Sequence, residues 1–464
     1  SDSEADWGTF LMLGLNHGGK TISVDAANGF SSDRTFSSSY SLIDITEPRS
    51  PKLLWERTYD NLQATTSFPA IVKVDDSWYA VFGSGPDFCS GNSTQVANVY
   101  VVDLATGSPH STGSTDYLFQ TSYSYASLNS PVSLDKELNY NVDAIYFGSS
   151  YSSTNDTPWS GKVHKITIPW KDSSGDYDGD NSTPDLANYS EAPTSITAPW
   201  IFSTLLDVGA PITAPLLLSI DQSDNIWIYG TTGRYINEAD KTDTQTQYIF
   251  GVKDPFYHAK QTSYYHNYPP PLTSLSLSND LFYANPYTIT TDRDTVVSLD
   301  GVISSVTSWA TLLDETRNDD DDTSDFWDGW YRELTETGER GLVKPSILGG
   351  IVFSPTFTPN TTVCEYGGSS NLYGLYFETG TAYYQQIFSN NTSTVYSTDG
   401  SVTVYQTDAF ISLGSGKSSG LAIQTNEDED TVSGFIQLST GVIKVENLTP
   451  AFNIKRGIRA WREK

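Results

Sequence analysis

Phe68-Pro69-Ala70-Ile71-Val72, Ala80-Val81-Phe82-Gly83 and Val99-Tyr100-Val101-Val102-Asp103-Leu104 together decide the fold. Each is a short apolar run rich in β-branched and aromatic residues and bounded by Gly, Pro, Asp or Ser, the pattern of a buried strand rather than a helix. The same three-part phrase returns as Ser130-Pro131-Val132, Ile145-Tyr146-Phe147-Gly148 and Val163-His164-Lys165-Ile166. A third copy runs Ala214-Pro215-Leu216, Ile226-Trp227-Ile228-Tyr229-Gly230 and Tyr248-Ile249-Phe250-Gly251-Val252. The fourth is Lys344-Pro345-Ser346-Ile347, Ile351-Val352-Phe353 and Leu372-Tyr373-Gly374-Leu375-Tyr376. The prolines that open the phrases lie at 69, 131, 215 and 345, at intervals of 62, 84 and 130 residues. Drifting intervals of this kind suit radial blades, each a small antiparallel sheet with insertions between strands, and fit a two-sheet sandwich badly. The expected architecture is therefore all-β, one propeller domain over residues 1–464 with insertions at about 171–199, 256–287 and 314–330. Helical periodicity is confined to Val302–Leu313, where Val302, Val306, Trp309 and Leu313 share a face.

Composition narrows the function. The 464 residues hold 26 Lys+Arg against 56 Asp+Glu, a net charge of −30, which excludes nucleic acid as a partner, since phosphate contacts need clustered basic residues. The same charge disfavours anionic lipid and favours cations or cationic surfaces. No apolar run approaches the ~20 residues that span a bilayer, so no membrane insertion is expected. One Met against 29 Tyr, 20 Phe and 11 Trp, with Ser, Thr, Asn and Gly in the polar positions, is the profile of an extracellular β-protein. Cys89 and Cys364 make at most one bridge; they precede the third strand of two equivalent units, and the spacing does not decide whether they meet. Sequons such as Asn92-Ser93-Thr94 and Asn360-Thr361-Thr362 arise easily by chance in such a composition.

A further series of phrases is carried in order along the chain. Ser39-Tyr40-Ser41-Leu42-Ile43-Asp44-Ile45-Thr46-Glu47-Pro48 comes first, then Tyr100 to Gly107, Thr232-Gly233-Arg234-Tyr235, Gly329-Trp330-Tyr331, Gly338-Glu339-Arg340 and Arg459-Ala460-Trp461-Arg462-Glu463. Over roughly 420 residues this order resembles the C-terminal propeller of the PilY-type family of type IV pilus tip adhesins and biogenesis factors. The resemblance implies a seven-bladed, quinoprotein-like but modified propeller, secreted through the periplasm to the cell surface or pilus tip and without catalytic activity. It implies as partners the minor pilins or pilus tip and a host or abiotic surface. Family members carry a longer N-terminal region and a first blade ahead of the Tyr40 phrase. Part of the first blade is thus expected to be lacking, the ring being completed by the N-terminal part of the same precursor as a separate chain.

Catalytic constellations are not evident. The five histidines (His17, His110, His164, His258 and His266) sit in no nucleophile elbow or zinc helix, and no Arg-Gly-Asp tripeptide occurs. The acidic run from Asn318 through Asp325 and Asp328 reads as a solvated loop whose far end is anchored by Trp327, Trp330 and Tyr331. Calcium chemistry is better signalled. Asp135, Glu137, Asn139, Asn141 and Asp143 alternate through a loop between two strands of a blade, and alternating oxygen ligands in a tight loop can converge on one Ca²⁺, with the Asn141 carbonyl filling a gap. The loop also resembles the family's calcium loop, tied there to control of pilus extension and retraction; it departs at Glu137 and Asn139, where Asp is usual, and at Tyr140, where Gly is usual. A second, weaker candidate is Asp176, Asp178, Asp180 and Asp185, with Gly179 in the turn. The leading expectation is a non-enzymatic calcium-binding propeller acting in adhesion and pilus assembly or retraction. The alternatives are a structural subunit of an extracellular filament or sheath, and a secreted quinoprotein-like enzyme.

Overall fold

A computed structural model of the chain describes residues 8–25, 34–87, 95–111, 115–136, 138–168, 200–223, 225–255, 274–293, 295–298, 306–317, 327–360, 367–388, 395–399, 402–425 and 432–452. Cys89, Cys364, Glu137, His258, His266, the second calcium candidate (Asp176, Asp178, Asp180, Asp185), the Asn92 sequon and residues 318–326 of the acidic run lie outside the described residues.

All four phrases fold as antiparallel meanders. The first gives the strands Ala70–Val74, Ser77–Gly83 and Asn98–Asp103, closed by Phe119–Gln120; the second gives Val132–Leu134, Ala144–Ser150 and Lys162–Thr167, followed by Ile201–Asp207. The third gives Leu217–Ile220, Ile226–Thr231 and Tyr248–Lys253, followed in space by Gly329–Glu333; the fourth gives Ser346–Leu348, Ile351–Pro359, Gly368–Tyr376 and Phe410–Ser415. A three-stranded sheet precedes them (Phe10–Gly14, Tyr40–Asp44, Lys52–Arg57) and another follows (Ala422–Thr425, Val432–Gln437, Ile443–Leu448). Among the described residues, six sheets therefore have three or more strands, against the seven implied by the resemblance.

Strand periodicity explains how these sheets combine. Successive side chains of a strand point to opposite faces, so an uninterrupted apolar strand must be covered on both sides. In Ser77–Gly83, Ala80 and Phe82 pack with Tyr40, Leu42 and Trp55 of the sheet before, whereas Val81 packs with Leu128, Ile145 and Phe147 of the sheet after. The same division recurs in Ala144–Ser150, where Ile145 and Phe147 face back and Ala144 and Tyr146 face forward onto Leu216, Ile226 and Ile228. In Ile226–Thr231 the forward residues are Trp227 and Tyr229, which join the core shared with the last two sheets. Each full burial of a large apolar side chain contributes about 1.5–3 kcal/mol, so these interfaces dominate the stability of the series.

Residues one or two positions before the prolines of the first three phrases, and glycines near the end of the second strand in the first two, have a common task. Ser67 Oγ accepts from Gly83 N at 3.1 Å and donates to Asn129 O at 3.1 Å. One unit later, Asn129 Oδ1 accepts from Gly148 N at 2.7 Å, and Asn129 Nδ2 donates to Ala214 O at 2.6 Å. Segments leading into the first strands of three consecutive sheets are thereby tied in a relay. A Cβ on Gly83 would stand 2.4 Å from Leu128 Cβ, and one on Gly148 would stand 2.4 Å from Ile212 Cγ2, so each glycine lets the next sheet's inner segment approach.

The insertions are more integrated than their composition suggests. Leu275–Ser276 adds in parallel to Ile201–Asp207, and Phe282–Tyr283 adds in parallel to Gly329–Glu333, so the end of the 256–287 insertion joins two sheets. Gly329–Glu333 itself, whose start falls inside the expected 314–330 insertion, is a strand of the fourth sheet. Trp330 is buried and donates from Nε1 to Phe377 O at 2.7 Å, the anchor expected beyond the acidic run. The helix begins later than its periodicity suggests, spanning Trp309–Arg317 and burying Trp309, Leu312 and Thr316. The Ser308 hydroxyl accepts from Thr311 N at 3.2 Å, which sets the start at an N-cap that ranks above Val302 and Val306 as a signal.

Asn129→Ala removes both side-chain bonds of the relay and leaves Gly148 N–H and Ala214 C=O buried without them. The expected loss is about 2–4 kcal/mol in chemical denaturation, against a change within about 0.5 kcal/mol for the exposed Thr242→Ala.

Candidate functional site

The expected calcium loop leaves the third sheet after Val132–Leu134 and returns to it at Ala144. Its closure is fixed by backbone bonds from Asp143 N to Leu134 O at 2.8 Å and from Val142 N to Lys73 O, on the preceding sheet, at 2.9 Å. Asp135 Oδ1 accepts from Asn139 N at 3.1 Å and Oδ2 accepts from Tyr140 N at 2.8 Å. Asn139 Oδ1 accepts from Asn141 N at 2.8 Å, and the buried Asp143 accepts through Oδ2 from Lys136 N at 2.7 Å. Leu138 and Tyr140 adopt left-handed backbone with φ of 54° and 69°, so Tyr140 holds the conformation that a glycine would take without strain.

Four of the five expected ligands thus belong to one continuous set of turns. Asn141 Oδ1 is buried and has no hydrogen-bond partner, which makes it a free oxygen of the loop, where the sequence pointed instead to its carbonyl. The donor set is all oxygen, as Ca²⁺ requires, and each carboxylate oxygen that accepts one amide keeps a second lone pair. Among the described residues, no three His, Cys, Asp or Glu side chains stand together as a metal group; the loop offers two carboxylates and two amides.

Buried charge elsewhere ties elements to one another. Lys165 Nζ lies 2.7 Å from Asp254 Oδ2, and Tyr146 Oη donates to the same oxygen at 2.6 Å, a bridge between the third and fourth sheets that burial makes costly to break. Burial also pulls the pKa of His164 down to about 3; the ring stacks on Phe202 with centroids 5.2 Å apart and lies 3.0 Å from Ser149 Oγ, which suits a neutral core residue rather than a catalytic one.

A cluster not singled out in the sequence joins Trp159, Arg234, Asp240 and Arg340. The guanidinium of Arg234 lies 3.9 Å from the centre of the Trp159 ring and pairs with Asp240, while Arg340 donates to Arg234 O at 2.8 Å, to Asp240 O and to Asp243 O. Beside it lies a small open cavity of about 210 Å³, lined among others by Asn155, Asp156, Trp159, Asn237 and Asp243. The cluster unites positions more than a hundred residues apart, and of its members only Arg234 and Arg340 carried a signal, as parts of the ordered phrases.

A curated relative, the type IV pilus biogenesis factor PilY1 homolog of Xylella fastidiosa, is 23% identical over 406 residues, covering 83% of this chain. The crystal structure of the Pseudomonas aeruginosa PilY1 C-terminal domain superposes with a TM-score of 0.54 at 17% identity, over 93% of this chain and 83% of that one. In sequence and in fold alike, the chain is PilY-like. No family model matches it. This PilY-like chain spans 22% of the curated relative's length. An exo-1,5-alpha-L-arabinanase from a bovine ruminal metagenomic library also aligns, with a TM-score of 0.26 and 9% identity, a likeness too slight to bear on the PilY-like chain. Among the described residues, no helix is long and apolar enough to cross a membrane.

Two outcomes follow from the local chemistry. Asp135→Ala should speed amide exchange at Asn139 and Tyr140 at least tenfold while leaving Tyr146 and Phe147 unchanged, because only the loop amides lose their acceptor. Asp328, whose carboxyl is pushed up to about 6 by burial with Asp280 adding to the effect, binds its proton more tightly folded than unfolded. Stability should therefore fall as pH rises from about 4 to 6 and stay lower above it. Asp328→Asn should remove that loss, gaining about 1–2 kcal/mol at pH 7 and nothing near pH 4, once the shift is discounted for partial exposure.

Proposed function

We propose that the chain is a non-enzymatic module of a type IV pilus-associated protein. What carries the reading is the collinear likeness over 83% of the chain to a pilus biogenesis factor, joined to the shared fold. In this reading the chain is one propeller unit, its six described sheets being six of seven blades. It works outside the cytoplasm, at the cell surface or pilus tip, where it contacts minor pilins and a host or abiotic surface. The acidic balance of −30 is consistent with cationic partners and with calcium.

Calcium would be held by Asp135, Asn139, Asn141 and Asp143, with Glu137 as a further oxygen donor. When bound it would supply a fixed positive charge that draws these oxygens together. Asp135 and Asp143 would be the anionic ligands, and Asn141 Oδ1, otherwise unpartnered, would gain a partner. Because the loop is tied to Lys73 of the preceding sheet, ordering it would also stiffen the contact between the two sheets. Stiffening a contact between blades is a means by which the ion could bear on pilus extension and retraction.

Calorimetric titration of metal-stripped protein with Ca²⁺ is expected to show binding below the millimolar range and a rise in unfolding temperature, both lost in the Asp135→Ala, Asp143→Ala double variant. Binding and stabilisation that persist in that variant would remove calcium from this loop. In cells, loss of surface pili on deletion of the gene, restored by the wild-type copy, would support the pilus role independently of the metal.

A further inference from the structure

Among the ion pairs of the described residues, that of Lys165 with Asp254 joins a primary amine to a carboxylate with both excluded from water. Their side chains are 2% and 1% exposed, whereas Lys162–Asp207 and Lys241–Glu238 lie open to solvent. Arg234–Asp240 and Arg317–Glu378 pair guanidinium groups, which keep their protons. Lys165 Nζ and Asp254 Oδ2 stand 2.7 Å apart. Each partner is held by its own sheet. Lys165 lies opposite Tyr146 in the register of the third sheet, and the Tyr146 hydroxyl donates to the same Asp254 oxygen at 2.6 Å. Asp254 directly follows the strand Tyr248–Lys253 of the fourth sheet, and its backbone N–H donates to Ile226 O at 2.8 Å. Tyr146 belongs to an apolar cluster with Ala144, Val163, Ile226, Ile228 and Val252, all buried.

Exclusion of water changes what such a pair can do. An ammonium and a carboxylate without solvent are each costly, and passing the proton from Nζ to the carboxyl group turns both into neutral groups. Burial lowers the pKa of Lys165 against the opposing pull of the Asp254 carboxylate, in the direction of a neutral and therefore nucleophilic amine. The Tyr146 hydroxyl, aimed at Oδ2, is placed to protonate that oxygen as it departs. Strands of both sheets hold the amine and the carboxyl group in contact for as long as the chain is folded, which supplies the proximity that a free amine and a free acid lack in solution. Nucleophile, electrophile and proton donor thus meet at one buried point.

We propose that Lys165 and Asp254 condense into an amide bond that ties the third sheet covalently to the fourth. After proton transfer within the pair, the Nζ lone pair forms a bond to Asp254 Cγ. The Cγ–Oδ2 bond then breaks as Tyr146 Oη gives its proton to the departing hydroxyl, and the nitrogen returns a proton to the phenol. One water leaves for each bond formed, and no oxidant, metal or second substrate takes part. Two buried charges become one neutral amide, so the cost of keeping an ion pair out of water is removed. Neither the pilus role nor calcium enters into the step. Closing the chain between positions 165 and 254 would restrict the unfolded state as a disulfide does, and would hold the two sheets together under a pull on the chain.

Mass spectrometry of the full chain, purified folded and then denatured, is expected to give a mass one water below that of the sequence. After trypsin, the peptide of residues 163–171, uncut at Lys165, should be found joined to the peptide of residues 254–260. Lys165→Arg keeps the positive charge without the amine, and should restore the full mass and abolish the joined peptide. Tyr146→Phe, with its circular dichroism unchanged, should slow joining at least tenfold in chains sampled at intervals after synthesis; joining at the wild-type rate would overturn the part assigned to Tyr146. A wild-type chain at its full sequence mass would overturn the proposal, as would a loss of water that the peptides place elsewhere or that persists in Lys165→Arg. Should the variants fail to fold, the peptide map of the wild-type chain decides the matter by itself.

Discussion

The arrangement depends on one constraint: a strand that is apolar at every position has two faces to bury and only one sheet to belong to. Val81 and Phe82, adjacent in sequence, are satisfied by different neighbours. So are Tyr146 and Phe147, and again Trp227 and Ile228. Each inner sheet is therefore a middle layer to those on either side. Among the described residues the core is accordingly divided into four clusters that follow the chain from sheet to sheet rather than gathered at a single centre.

Polar groups enter this scheme where apolar packing alone would leave the sheets free to slide. Asn129 and Ser67 set the position of one sheet's leading segment against the next through directed bonds, and the Lys165–Asp254–Tyr146 contact does the same between the third and fourth sheets. Removing one partner of such a buried pair costs more than the pair contributes when whole, because the remaining charge is left without solvent. These contacts specify relative position as much as they add stability.

The strands of the four phrases were legible in the sequence because they rest on local signals: short apolar runs, a proline at the start and, in the first three, a glycine near the second strand's end. Elements set by distant partners were not. Leu275–Ser276 and Phe282–Tyr283 are two-residue strands defined only by the sheets they join, and no periodicity can appear in two residues. The helix was legible in kind but misplaced, since apolar spacing at Val302 and Val306 continued past the Ser308 cap that starts it. In the loop from Asp135 to Asp143 the spacing located the oxygens, but it could not show that Asp135 is engaged by the amides of Asn139 and Tyr140 or that Asn141 keeps its side-chain oxygen free. The Arg340 contacts, made to backbone carbonyls a hundred residues away, leave no imprint on local sequence.

The relay through Ser67, Asn129 and Ala214 bears on how such a chain can change in length. It fixes the segments leading into the first strands to one another and is indifferent to what lies between the later strands, so the segments linking those strands can grow or shrink without altering the alignment of the units. The unequal intervals of 62 and 84 residues between the prolines it spans record that freedom. The architecture behaves as a frame with fixed joints and spans of arbitrary length, and new surface can be grafted onto its spans while the joints are inherited unchanged.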